Sequence, residues 1–195
     1  MRTRNIDKEN LVKHKSIELI VKEGLEGFSM NKLAKACKIS VNTLYIYYKD
    51  RDDLIIKIAC EESKLISDTM LGEFDCNAGF EEGLRAQWKN RYKYFIDNPL
   101  LNSFFEQLQS STYQHHFTEA TNGYKDMVSR FVQNAIDRGE IDNLPIEVYW
   151  AIAFAPLYTL ITFHHKGQSP AGGPFEMNDK LLWQTFDLVV KALKK

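Results

Sequence analysis

Only three residues, Cys37, Lys38 and Ile39, separate two short helical patterns near the start of this chain, and no other feature restricts its fold as tightly. Ser29 has the side chain of an N-cap, and behind it Met30, Leu33, Ala34 and Cys37 recur at i, i+3, i+4 and i+7, one apolar face of a helix. Phe28 before the cap and Leu33 inside it make a hydrophobic staple. Ser40 opens the second helix with the same grammar, Ile39 and Leu44 forming the staple pair. So short a connection does not let the two helices lie antiparallel; they cross steeply, as in a helix-turn-helix. Asp50 then caps a further helix, with Asp53 at its N3 position as a shortened capping box.

The second helix has two faces of different chemistry. Leu44 and Tyr48 point to the core, while Val41, Asn42, Tyr45 and Ile46 share the opposite side at spacings of three and four. That outer face is not the composition of a solvated surface. Asn bonds an adenine edge bidentately, Val and Ile contact a thymine methyl, and the hydroxyls of Thr43 and Tyr45 suit phosphate oxygens. Charge is distributed to match. Residues 1–50 hold ten Lys/Arg against six Asp/Glu, and the remainder holds fifteen against twenty, so a basic head is joined to an acidic body although the whole chain has net charge −1.

From Gly24 to Leu54, and above all in the run Thr43-Leu44-Tyr45-Ile46-Tyr47-Tyr48-Lys49-Asp50-Arg51-Asp52-Asp53-Leu54, the chain resembles the TetR family of bacterial transcriptional repressors. It departs from the family pattern at Lys38, where Gly is usual in the turn, and at Asn42, where Gly or Ala is frequent. The resemblance implies an all-α protein of about nine helices: a three-helix DNA-binding head at residues 1–50, a linking helix at 51–71, and a ligand-binding and dimerisation body at 72–195. It also implies phosphate contacts from Lys49 and Arg51 at the start of helix 4, with Tyr47 beside them, and Ser29 and Ser40 at the two helix starts complete the expected DNA-binding set. Double-stranded operator DNA, a second copy of the chain and a small-molecule inducer are the partners it points to.

Read in order, Asp7 is placed to cap helix 1, whose core face uses Leu11, Val12, Ser16, Leu19 and Ile20 and which Gly24 ends. Arg2 and Arg4 form a short basic arm with no apolar segment behind it, so no secretory signal is read and the cytoplasm is the expected compartment. Helix 4 carries Leu54, Ile58, Leu65 and Ile66, and Gly72 to Gly79 is the expected domain boundary. Five helices follow: from Asn77 or Ala78 to Ile96, from Asn98 with Pro99 at N1 to Ser111, from Thr118 to Arg138, from Pro145 to Lys166 with Pro156 inside it, and from Glu176 to Leu193. Val148 to Phe163 is uncharged but too short for a membrane span of about twenty residues. In the resembled family the last two helices pair with their copies, which assigns Ile152, Leu182, Phe186, Val189 and Leu193 to the dimer contact. A two-fold dimer sets two heads in successive major grooves roughly 34 Å apart.

Trp88, Tyr92, Phe104, Phe105, Tyr113, Tyr124, Trp150, Phe154 and Tyr158 are the expected aromatic walls of a ligand cavity, with Gln107, His115, His116 and His164 as candidate polar anchors. Each is equally a core residue by type. The adjacent histidine pairs point about 100° apart on a helix and do not ligate one ion together, and Cys37, Cys60 and Cys76 show no ligand spacing, so neither metal nor cofactor is expected. No P-loop, nucleophile elbow or zinc-protease motif is present, which excludes the common enzyme classes. The reading is a homodimeric repressor released from a palindromic operator by an apolar or aromatic ligand. The alternative is a family member that has lost operator reading and acts as a protein-binding adaptor.

Overall fold

The computed structural model describes residues 6–72, 74–118 and 121–195. The basic arm of Arg2 and Arg4 lies outside them. Among the described residues the chain is helical, with no strand and two isolated bridges, Ile141 with Lys194 and Gln168 with Pro174. Packing divides it into two compact units, residues 1–65 with 98–121 and residues 66–97 with 122–195.

In the first unit α1 (Ile6–Gly27) is interrupted where expected, Gly24 adopting φ 76° and ψ 168°, and a short turn leads to Phe28. Its buried face is Val12, Ser16, Ile17 and Ile20; Leu11, expected in the core, is exposed. Ser16 is accommodated because its hydroxyl donates to the Val12 carbonyl at 2.7 Å. The next helix, α2 (Met30–Ala36), is capped by Ser29, which accepts from Lys32 N, and α3 (Val41–Tyr45) by Ser40, which accepts from Asn42 N. Met30, Leu33, Ala34, Cys37 and Leu44 are buried together with Phe28, the arrangement their spacing predicts. Then α4 (Arg51–Leu71) contributes Leu54, Ile55, Ile58 and Ala59 to the same core, while Leu65 is exposed. The helices α6 (Pro99–Gln109) and α7 (Gln114–Thr118) close this unit, α6 packing along α1 with Phe104 and Leu108 buried. Sequence order had placed α6 in the body; its apolar face instead completes the core of the first unit, Phe104 and Leu108 joining the residues of α1 to α4 there.

The second unit is built on α5 (Phe80–Asp97), which packs on α8 (Asn122–Asp137), α10 (Ala155–Lys166) and α11 (Asp179–Leu193). Gly83 lets α5 and α8 approach, since a Cβ there would lie 2.3 Å from the Phe131 ring. The single helix expected from Pro145 to Lys166 is two, α9 (Ile146–Ala153) and α10, bent by 41°. The break falls at Phe154 because Pro156 has no N–H to continue the ladder and disfavours helix just before it. No single helix among the described residues is long and apolar enough to cross a membrane. Gly139 and Gly167, both at positive φ, end α8 and α10, and the α5 start is capped across the unit by Glu140, which accepts from Phe80 N at 2.6 Å.

The turn between α2 and α3 is closed by a complete Schellman motif, Ile39 N donating to Ala34 O and Lys38 N to Lys35 O. Lys38 occupies its left-handed position, φ 55°, the only non-glycine residue at positive φ among those described. The hydrogen bonds hold it there at a cost of about 1–2 kcal/mol, so the departure from glycine strains the turn without opening it. Lys38→Gly is expected to raise the urea midpoint, with a gain of about 1 kcal/mol after glycine's larger unfolded-state entropy is deducted.

Candidate nucleic-acid interface and buried aromatic site

With Leu44 buried, the rest of the Ser40-capped turn faces outward. Asn42, Tyr45, Ile46, Tyr47 and Lys49 are exposed, and Val41 and Thr43 half-exposed. An isoleucine 64% exposed beside a tyrosine 52% exposed is a costly surface for a protein that keeps it in water, and a suitable one for a groove floor. Behind this face Asp50 accepts from Asp53 N at 2.8 Å, the forward half of a capping box, while Asp53 reaches one residue past Asp50 and accepts from Lys49 N at 2.9 Å. Lys57 pairs with Asp53 at 2.9 Å and donates to the Tyr47 carbonyl at 3.3 Å. The Lys57 ammonium first, and the Lys49 amide second, hold the Asp53 carboxyl below its ordinary range. Such a group stabilises the fold above its unfolded pKa, near 4, and that contribution is lost as pH falls through the lower folded value. The urea midpoint is therefore expected to fall below about pH 4, and by less in Asp53→Asn.

Arg51, assigned to phosphate from sequence, is turned inward. Its Nε donates to the Phe28 carbonyl at 3.2 Å, Nη2 donates to the Leu25 carbonyl, and Nη1 reaches Tyr113 Oη at 3.1 Å and Asp52 Oδ1 at 3.0 Å. Tyr113 in turn donates to Asp52 at 2.6 Å. The guanidinium thus pins the corner after α1 and the segment before α7 to the start of α4. Four of its five N–H groups are directed at protein acceptors, and Lys49 is the exposed cation of this turn.

The expected ligand-cavity residues do not form one set. Phe104, Phe105 and Tyr113 belong to the core of the first unit, and Gln107 ties α6 to α1 through the Val21 carbonyl at 3.3 Å. His115 and His116 lie side by side on α7, exposed, with ring centroids 3.8 Å apart. His164 Nδ1 accepts from Met177 N at 3.2 Å, a structural tie between α10 and the start of the last helix. Among the described residues no three metal-ligating side chains meet. Trp88, Tyr92, Tyr124, Trp150, Phe154 and Tyr158 do share the second unit. Trp88 Nε1 donates to the Ala153 carbonyl at 2.7 Å, fixing its ring in the core.

The centre of that aromatic group is a residue sequence reasoning passed over, Arg91. It is 4% exposed, its guanidinium carbon lying 4.1 Å from the Phe154 ring centroid, 5.4 Å from Tyr124 and Trp150, and 5.8 Å from Tyr158. Nη1 donates to Tyr158 Oη at 2.5 Å and Nη2 to Tyr124 Oη. The signal was in the periodicity: Phe80, Leu84, Gln87, Trp88, Arg91 and Phe95 are one buried stripe of α5, and the flanking Lys89 and Lys93 disguise it as a solvated basic run.

Of the expected dimer residues, Leu182, Phe186, Val189 and Leu193 are buried within the chain's own core, Phe186 against Trp88 and Trp183. Ile152 is half-buried against the same core. The apolar residues left outward on these helices are Ile146, Val148 and Trp150 of α9 and Leu188 of α11.

Comparison with known proteins agrees with this anatomy. Residues 14–58 match the tetR family of bacterial regulatory proteins, and residues 80–172 match the tetracyclin repressor-like C-terminal domain. A Haemophilus influenzae protein described as an uncharacterized HTH-type transcriptional regulator is 34% identical over 92 residues, a match covering 47% of this chain and 49%, about half, of that protein. A TetR family transcription regulator from Marinobacter aquaeolei superposes over the full length of both chains with TM-score 0.86 at 24% identity, and one from Haemophilus influenzae likewise with TM-score 0.80 at 22%. The regulator FadR of Bacillus subtilis, solved with stearoyl-CoA, superposes over 93% of this chain and 97% of its own with TM-score 0.70 at 18% identity; at that distance the likeness is one of fold. The matched proteins are transcription regulators, not enzymes. With both halves matched in order and the helix-turn-helix formed residue for residue, the chain belongs to the TetR family of helix-turn-helix transcription regulators.

Proposed function

We propose that the chain is a homodimeric repressor that leaves its operator when a small molecule with an apolar or aromatic body binds in residues 72–195. The observation that carries the reading is the outward face of α3, where Asn42, Tyr45 and Ile46 stand exposed above a buried Leu44. Asn42 reads an adenine edge, Val41 and Ile46 contact thymine methyls, and Ser29, Ser40, Thr43, Tyr45, Tyr47 and Lys49 hold phosphates. Arg51 acts one step behind them by holding the corner on which α2 and α3 rest. The second copy docks on the outward face of α11, at Leu188. Ligand and operator prefer different head spacings, so each weakens the other's binding, with a coupling of about 1–3 kcal/mol. FadR of Bacillus subtilis, of the same fold, was solved with stearoyl-CoA, which supports an elongated apolar ligand here. A turn distorted at Lys38 would favour the adaptor alternative, and here that turn is closed by its Schellman hydrogen bonds.

The test is a fluorescence-anisotropy titration of the full chain against the DNA flanking its own gene at 50 and 200 mM salt. Tight binding to a palindromic segment that weakens steeply with salt is expected, since each phosphate contact adds about 0.9 to the slope of log K against log salt. Binding indifferent to salt would remove the operator reading. Within that assay Asn42→Ala is expected to lose about 1–3 kcal/mol of discrimination at one base position while retaining its affinity for mismatched DNA. An unchanged preference across a randomised site would remove Asn42 from the reading face.

A further inference from the structure

Among the described residues no carboxylate lies against the buried cation Arg91. Its contacts among them are two tyrosine hydroxyls and the faces of aromatic rings, and its Nε finds no partner there. Cation–π contact offsets only part of the hydration that the buried guanidinium loses. A fold that needed only a filled core would place Leu or Met here. Two further unmet groups belong to the same cluster. Gln87, 1% exposed, accepts from Tyr124 Oη but its Nε2 is unpartnered; Tyr149 packs on Phe154, and its hydroxyl is unpartnered too. All three can donate. Their common complement is a group that only accepts.

We propose that the second unit binds an organic monocarboxylate, its carboxylate received by Arg91 and its apolar or aromatic body by Trp150, Phe154 and Tyr158. This rests on the ligand-released reading above and names the chemistry of that ligand. The guanidinium fork matches a carboxylate in bidentate geometry. Single charge is favoured because the cluster contains one cation: a monoanion neutralises it, whereas a phosphate dianion would leave a buried negative charge. Access comes from the Trp150 side. Its indole forms a wall of the Arg91 site and is 40% exposed, so the cation is one side chain from solvent. On binding, the carboxylate takes the positions at Nη1 and Nη2 now held by Tyr158 and Tyr124, or adds to Nε. Either way an ion pair forms with a guanidinium that now meets only neutral hydroxyls and rings among the described residues.

The test follows intrinsic tryptophan fluorescence of the full chain titrated with benzoate, phenylacetate, hexanoate and decanoate, and with their primary amides and phenyl phosphate. At least one carboxylate is expected to bind, its amide at least about tenfold more weakly, because the amide keeps the shape and loses the charge. Arg91→Gln, with its helical circular dichroism checked, is expected to lose about tenfold or more for the acid and little for the amide. If that variant does not fold, the acid-to-amide ratio of the wild type decides alone. Binding by none of the carboxylates, equal binding of acid and amide, tighter binding of phenyl phosphate than of any carboxylate, or a folded Arg91→Gln with unchanged acid affinity would each overturn the proposal. Operator release is scored separately. Release by amides as well as acids removes the anion inference and keeps the ligand-released repressor, whereas carboxylate binding without operator binding removes the repressor and keeps the site.

Discussion

Arg51→Ala is expected to destabilise the first unit by about 2–4 kcal/mol and, through that, to weaken binding to every DNA sequence alike. Two backbone carbonyls, of Leu25 and Phe28, lose a charged donor, and the Tyr113–Asp52 pair loses the cation between them. The side chain is 33% exposed, so water replaces part of what is lost and the figure stays below the sum of the separate bonds. Urea unfolding followed by helical circular dichroism gives the stability, and the salt dependence of operator binding gives the phosphate count. For Arg51→Ala the slope should be unchanged among molecules that remain folded. For Lys49→Ala, which removes an exposed cation, stability should hold and the slope should fall by about one. The reverse pattern, unchanged stability with a shallower slope for Arg51→Ala, would return Arg51 to the phosphate contacts. Arg51→Lys is expected to recover little, because one ammonium does not span the two carbonyls and the phenol that the planar fork reaches.

The other large effect separates the two faces of the last helix. Leu188→Glu should give a folded monomer that no longer binds its operator tightly, since one head alone meets one half-site. Leu182→Glu, only six positions earlier, should give a chain that does not fold, because it buries an unpaired carboxylate in a core where Leu182 is 1% exposed, at a cost of roughly 4 kcal/mol or more. Light scattering after size exclusion, with circular dichroism of the same fractions, reads both. A Leu188→Glu protein that is still dimeric would move the contact elsewhere on the second unit.

How much of this was legible in the sequence varies with the range of the interaction. The head could be read nearly atom by atom: Ser29 and Ser40 cap the helices they open, Asp50 accepts from Asp53 N as the forward half of a capping box, and Lys38 sits in the left-handed position that its place after α2 demands. Each of these is decided by residues within five positions of one another. Pro156 was legible as a disturbance of the helix for the same reason, but one helix was expected from Pro145 to Lys166, and only the fold divides it in two at Phe154. Reading failed where a side chain had a choice of distant partners. Arg51 had the family position of a phosphate contact, but it begins a helix that passes under two carbonyls of the α1–α2 corner. Leu182, Phe186, Val189 and Leu193 form a true apolar stripe. A stripe says that a face is covered, and not whether the cover is the same chain or another.

The aromatic residues show the limit most clearly. Composition put a ring-rich set in the body, yet Phe104, Phe105 and Tyr113 close the first unit and only the remainder surrounds Arg91. Sequence by itself determined the helices, their caps, the crossing of α2 and α3 and the chemistry offered by the outer face of α3, because backbone hydrogen bonds and i, i+4 spacing are local. Tertiary structure alone decided that α6 belongs with α1, that Arg51 faces inward and that Arg91 lies buried among rings. Burial and pairing are properties of the groups that arrive from elsewhere in the chain, and no local pattern fixes which groups those are.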